Sequence, residues 1–144
     1  MKILHIISGL SQGGAEEALY RLISFDFSNE HVVISLTNKG EYGDLLEKSG
    51  KEVHYLNMPR GRVKIRGLFR LARLIKYIRP DVVHNIMYHA NLIGGIISRL
   101  VGIKSIVWVI HCANLDPNLA SLSTRLSAKL CALFSSWLPA LIVF

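Results

Sequence analysis

Three sets of residues in this 144-residue sequence have types and spacings that could do chemistry. The first is the pair Gly13 and Gly14 in "SGLSQGGAEEALYRL" (8–22), where an apolar run passes through a polar turn into a helical pattern. Glycines there permit an unusual backbone angle, or the close approach of a phosphate or sugar to main-chain N–H groups at a helix start. The other reading is a tight strand-to-helix turn and nothing more. The second set is His84, His89 and His111, at strand ends or in the turns just beyond them. No histidine pair has metal-ligand spacing and no carboxylate accompanies one, so no metal is expected, and no general-base triad is visible. The third is "RGRVKIRGLFRLARLIKYIR" (60–79), which holds 8 of the 17 basic residues and no acid.

These residues need a scaffold that brings them to one edge. Apolar runs at 2–8, 31–36, 52–56, 82–85, 105–110 and 141–144 read as strands buried on both faces, the signature of a parallel sheet. Between them the periodicity predicts helices at 15–25, 41–49, 64–79, 88–101 and 119–137. Strand and helix alternate throughout, which specifies an α/β, doubly wound, Rossmann-like fold with strand order 3-2-1-4-5-6 and helices on both faces. Asn38 to Gly40, Gly50, Pro80 and Gly102 punctuate the pattern where turns are required. In such a sheet the ligand lies beyond the carboxyl ends of the strands, beside the first strand. Gly13 and Gly14 fall at that place, and His111 begins the irregular "HCANLDPN" at the rim of the same cleft.

Several function classes drop out. A nicotinamide or flavin site needs G-x-G-x-x-G and an acid at the end of the second strand, whereas here the order is Gly9, Gly13, Gly14 and the strand ends "SLTNKG". Two cysteines, Cys112 and Cys131, are too few for a disulfide framework and suit a reducing compartment. The N-terminal apolar run is too short for a signal peptide, so a cytoplasmic location is expected. Residues 130–144 carry no charge, but they number fewer than the roughly 20 a spanning helix needs, and Pro139 interrupts them. The net charge of +7 raises nucleic acid as a partner, yet no helix-turn-helix, zinc or single-strand-binding pattern accompanies it, so no nucleic acid is expected.

Within the basic run, helical spacing puts Arg66, Arg70, Arg73 and Lys76 on one side and Leu68, Leu71, Leu74, Ile75 and Ile78 on the other. The apolar side docks on the sheet. The basic side either remains solvated or meets anionic lipid headgroups at about 1 kcal/mol per residue.

"MKILHIISGLSQGGAEEALYRL" resembles the opening of the group 1 (family 4) glycosyltransferases of GT-B fold. "RPDVVHNIMYHANLIGGIISRLVGIKSIVWVIHCAN" is similar to the later signature of the same N-terminal domain, so the resemblance covers essentially the whole chain. It implies a retaining transferase that takes a sugar from a nucleotide-sugar donor and uses neither metal nor cofactor. Residues 1–144 would form the acceptor-side domain, with Gly13, Gly14 and Glu16 facing the donor's diphosphate and sugar. His111 would be the catalytic residue touching the transferred sugar, and His89 and Asn91 would face the acceptor. Glu16 has a second reading, a first-turn carboxylate favoured by the helix dipole.

The family's second, nucleotide-binding domain has no counterpart in the sequence, and the chain stops inside the apolar "PALIVF". A missing C-terminal domain or a partner chain is therefore expected, with the isolated chain inactive. The acceptor would be a glycan or lipid-linked molecule of cell-surface polysaccharide or glycolipid synthesis. The basic face of the third helix, Arg66, Arg70, Arg73 and Lys76, would then sit peripherally on the inner membrane face. The alternative is a non-catalytic module that binds a membrane or an acceptor and acts with a partner chain.

Overall fold

The apolar runs of the four inner strands are largely buried because both of their faces find a hydrophobic layer, whereas the strands at 52–55 and 141–143, expected to be buried as well, lie at the sheet edges and keep exposed residues. A computed structural model describes residues 1–110, 121–138 and 141–143. Its strands are β1 (Lys2–Ile7), β2 (Glu30–Ser35), β3 (Glu52–Tyr55), β4 (Val82–Ile86), β5 (Ile106–Val109) and β6 (Leu141–Val143). The helices between them are α1 (Gly14–Phe25), α2 (Gly40–Lys48), α3 (Ile65–Ile78), α4 (Tyr88–Leu100) and α5 (Leu122–Phe134). All strands pair in parallel in the order β3-β2-β1-β4-β5-β6, as the alternating pattern requires. The order reverses between β1 and β4, and a crevice opens at the carboxyl ends there.

Alternate residues of the strands feed two cores. Leu4, Ile6, Val32, Ile34 and Val83 pack with Leu71, Ile75 and Ile78 of α3. Ile7, Val33 and Ile86 pack on the opposite face with Leu19 and Ile23 of α1 and Leu46 of α2. α5 joins through a third cluster, Ile106, Trp108, Cys131 and Leu138.

Helix ends follow local chemistry more than periodicity. The fifth helix starts at Leu122, not at 119, because Ser121 caps it: its Oγ accepts the N–H of Thr124 at 3.1 Å. Gly40 adopts φ +59, and a Cβ there would strike the carbonyl of Leu10. That close approach lets the Tyr42 N–H donate to Leu10 O at 3.0 Å, which fixes the loop after β1 against the start of α2.

α4 is the element whose buried side its periodicity conceals. Ala90, Asn91, Gly94, Gly95 and Ser98 face the sheet, while Leu92, Ile93, Ile96 and Ile97 are half-buried toward the neighbouring clusters. Small residues let the helix lie close on the strands, with Gly94 against Asn85 and Gly95 against the indole of Trp108.

Candidate functional site

The loops that leave β1 to β4, with the starts of α1, α4 and α5, enclose a cleft of about 810 Å³. Ser8, Gly9, Ser11, Gln12 and Glu16 come from the β1–α1 segment, and Leu36 and Thr37 follow β2. Residues 58–63 follow β3, Met87, His89, Leu92 and Ile93 belong to the start of α4, and Ser121, Ser123, Thr124 and Ser127 to α5. The result is a hydroxyl-rich wall over an apolar floor. That composition suits a ligand with several hydroxyls and some hydrocarbon surface.

Gly13 and Gly14 do not line this cleft themselves, although Gln12 and Glu16 on either side of them do. Gly13 has φ 177 and ψ 165, an extended conformation open to any residue. A Cβ at Gly13 would meet only the carboxylate end of the Glu16 side chain, and one at Gly14 would meet nothing within 4 Å. The turn itself therefore does not demand glycine at either position. α1 has no side-chain cap, and its first intrahelical bond runs from the Glu17 N–H to Gly13 O, so the earlier N–H groups point outward from an exposed corner. Glu16 is buried in the first turn, lines the cleft, and makes no hydrogen bond among the described residues.

His89 lines the cleft from the first turn of α4 and shares a hydrogen bond of 2.9 Å with Ser123 Oγ. Burial pushes its pKa below the ordinary histidine value, so the ring is neutral at pH 7. Asn91 is placed differently from the sequence expectation. It is fully buried, donates Nδ2–H to Val109 O at 3.2 Å, and ties α4 to β5 without lining the cleft. The cause is the inward orientation of α4's small-residue face. His111 lies outside the described residues.

His84 does not reach the cleft either. Its Nδ1 is 2.8 Å from His5 Nδ1, and His5 Nε2 is 2.9 Å from His31 Nδ1, an imidazole row across β4, β1 and β2 that is buried at His5 and His31 and half-buried at His84. His31 Nε2 lies 3.2 Å from Asp26 Oδ2. From sequence alone His5 reads as a satisfied core residue and His31 as an ordinary strand residue, since alignment across strands is a matter of register. Among the described residues no group of three His, Cys, Asp or Glu is arranged to hold a metal.

The basic run behaves as its spacing predicts, with one addition. Arg66, Arg70, Arg73 and Lys76 are exposed on α3, and none of the run's eight cations has an ion-pair partner among the described residues. Ile65, Phe69 and Tyr77 are exposed on that same side, at 72, 70 and 80%. The face is thus basic and apolar together. Arg60 and Arg62, seen in the sequence only as part of a charge run, line the cleft. Their place directly after the third strand was the signal that could have found them. No helix among the described residues is long and apolar enough to cross a membrane.

A family model described as Glycosyltransferase Family 4 matches residues 12–143. The chain is 32% identical over 103 residues to the capsular polysaccharide biosynthesis glycosyltransferase CapH of Staphylococcus aureus, covering 69% of this chain and 27% of CapH. Among solved structures it resembles Anabaena Alr3699/HepE in complex with UDP-glucose, with TM-score 0.76, 20% identity, and coverage of 99% of this chain and 36% of that one. It also resembles Acinetobacter baumannii MurG, with TM-score 0.63, 15% identity, and coverage of 98% and 40%. The two structural likenesses establish a shared fold. The chain spans about a quarter to two-fifths of the length of these proteins.

Proposed function

The chain belongs to glycosyltransferase family 4, and from that membership we propose that it forms the acceptor-side domain of a retaining glycosyltransferase. Its donor is a nucleotide sugar and its acceptor a glycan or lipid-linked molecule of cell-surface polysaccharide or glycolipid synthesis. The observation that carries this reading is the cleft beyond the strand ends, opening beside an uncapped helix start at Gly13 and Gly14. HepE with bound UDP-glucose and CapH in capsular polysaccharide biosynthesis support the classes of donor and product.

In this reading the outward N–H groups of the first turn of α1 face the donor's diphosphate. Charge grows on that diphosphate as its bond to the sugar breaks, and fixed N–H dipoles stabilise it without reorganising. Glu16 would repel phosphate, so its carboxylate accepts from hydroxyls of the donor sugar. His111 contacts the transferred sugar, while neutral His89 and the serines of α5 hold acceptor hydroxyls. No metal or cofactor takes part. The nucleotide pocket belongs to a second domain or partner chain, so residues 1–144 alone do not catalyse transfer. The exposed face of α3 rests on the cytoplasmic side of a membrane.

The test is Gly14→Val, assayed by transfer from nucleotide sugars in the protein together with its nucleotide-binding half. A Cβ at that position meets nothing within 4 Å, so folding should be retained, which thermal unfolding of the variant checks. The valine side chain keeps the backbone N–H but stands where the diphosphate would approach it, so the rate should fall on the order of a hundredfold, comparable to withholding one backbone donor from developing charge. Wild-type transfer by the folded variant would remove the glycine turn from the mechanism.

A further inference from the structure

We propose that Arg60 and Arg62 form an anion site for a phosphate on the acceptor, and that the acceptor is a phosphate-headed lipid whose hydrocarbon leaves the cleft over Val63, Ile65 and Phe69. This rests on reading the cleft as the acceptor side.

The turn that carries the two arginines is braced on both walls. It closes with the Arg62 N–H donating to Pro59 O at 3.1 Å, and Gly61 between the arginines adopts φ +69. Arg60 Nη2 donates to Ser11 Oγ at 3.0 Å, which holds the turn to the loop after β1. On the other side, a Cβ on Gly61 would lie 3.3 Å from Ser123 Oγ, the hydroxyl bonded to His89. The Arg60 guanidinium is thus held at the cleft by Ser11, and the same closed turn presents the exposed Arg62 side chain two residues on. Neither has an ion-pair partner among the described residues, where the ion pairs engage Lys2, Arg21, His31, Lys39 and His54 instead.

Two guanidinium groups without an ion-pair partner on one closed turn suit a tetrahedral oxyanion, because each planar fork can give two parallel hydrogen bonds to a phosphate. The apolar surface beginning beside it decides what carries that phosphate. Val63 lines the cleft and is 53% exposed; Ile65 opens α3, and Phe69 follows one turn later on the same side. Arg66, Arg70 and Arg73 flank this strip. A nucleotide or free sugar phosphate would leave the strip in water, and an uncharged lipid would leave the guanidinium groups unmatched. A phosphate on a hydrocarbon chain satisfies both.

Isothermal titration with decyl phosphate below its micelle concentration tests this, with inorganic phosphate and decanol as half-ligands. Decyl phosphate should bind, and each half-ligand should bind at least about tenfold more weakly. Arg60→Gln/Arg62→Gln should weaken decyl phosphate binding at least about tenfold, with unchanged thermal unfolding and unchanged binding to phosphatidylglycerol vesicles. Val63→Ser/Phe69→Ser should weaken decyl phosphate and leave inorganic phosphate alone. Undiminished binding by the arginine variant would overturn the proposal, as would inorganic phosphate binding as tightly as decyl phosphate. Loss of decyl phosphate binding only in Arg66→Gln/Arg70→Gln/Arg73→Gln/Lys76→Gln would also overturn it, since the contact would then be the surface of α3. Gly14→Val should bind decyl phosphate like wild type, which separates failure of this site from failure of the donor turn.

Discussion

Acidification should destabilise this protein through His5, and the size of the effect follows from the imidazole row. Asp26 sits at the end of that row. Hydrogen bonds from the Asn29 side chain and the Ser28 N–H hold its carboxyl below the usual range, so it remains an acceptor. Its charge orients the His31 Nε2 proton toward it, although the 3.2 Å contact is short of hydrogen-bond alignment. His31 Nδ1 must then accept from His5 Nε2–H, and His5 Nδ1 from His84 Nδ1–H. A proton added to His5 Nδ1 would meet another N–H head-on. Burial first, and then the neighbouring His84 and His31, push the His5 pKa well below its ordinary 6.5.

The sign follows directly. The folded protein keeps His5 neutral while the unfolded chain takes up a proton below 6.5, so stability from this residue is complete above 6.5 and is lost as pH falls toward the folded value. Between pH 7.5 and 5.5 that loss is about 1.4 kcal/mol from His5 alone. Urea unfolding followed by circular dichroism at both pH values, in wild type and His5→Gln, measures it. Glutamine can place an amide N–H near the position of His5 Nε2 but cannot titrate. The stability difference between the two proteins should therefore shrink by about 1.4 kcal/mol on acidification. A pH-independent difference would refute the argument that His5 is held neutral.

Three further outcomes follow from packing and charge. Gly94→Ala drives a methyl into the Asn85 amide and toward Ile6 Cδ1 at 3.2 Å, and should cost about 1–3 kcal/mol in chemical denaturation. Ser121→Ala removes the α5 cap and should cost about 1 kcal/mol, with faster amide exchange confined to the first turn of that helix. Changing Arg66, Arg70, Arg73 and Lys76 together to Gln should lower sedimentation with phosphatidylglycerol vesicles at low salt by on the order of a hundredfold or more. Unchanged sedimentation would leave that face as a solvated surface.

The sequence by itself determined the layered fold, because strands buried on both faces must be continuously apolar and the helices between them must carry one apolar side. It also located the glycine turn and the basic helix, since both are features of consecutive residues. Tertiary structure decided what depends on register and docking angle. His5, His31 and His84 are separated by 26 and 79 residues and meet only because parallel pairing brings β2 and β4 alongside β1. Asn91 turned inward because α4 docks through its glycines, where close approach outweighs its own hydrophobic periodicity. Phe69 and Tyr77 turned outward because α3 had a full apolar side without them. Arg60 became a cleft residue through contact with Ser11, 49 positions earlier in the chain. Local pattern records which surfaces a segment can bury, and only the assembled sheet selects which of them it does.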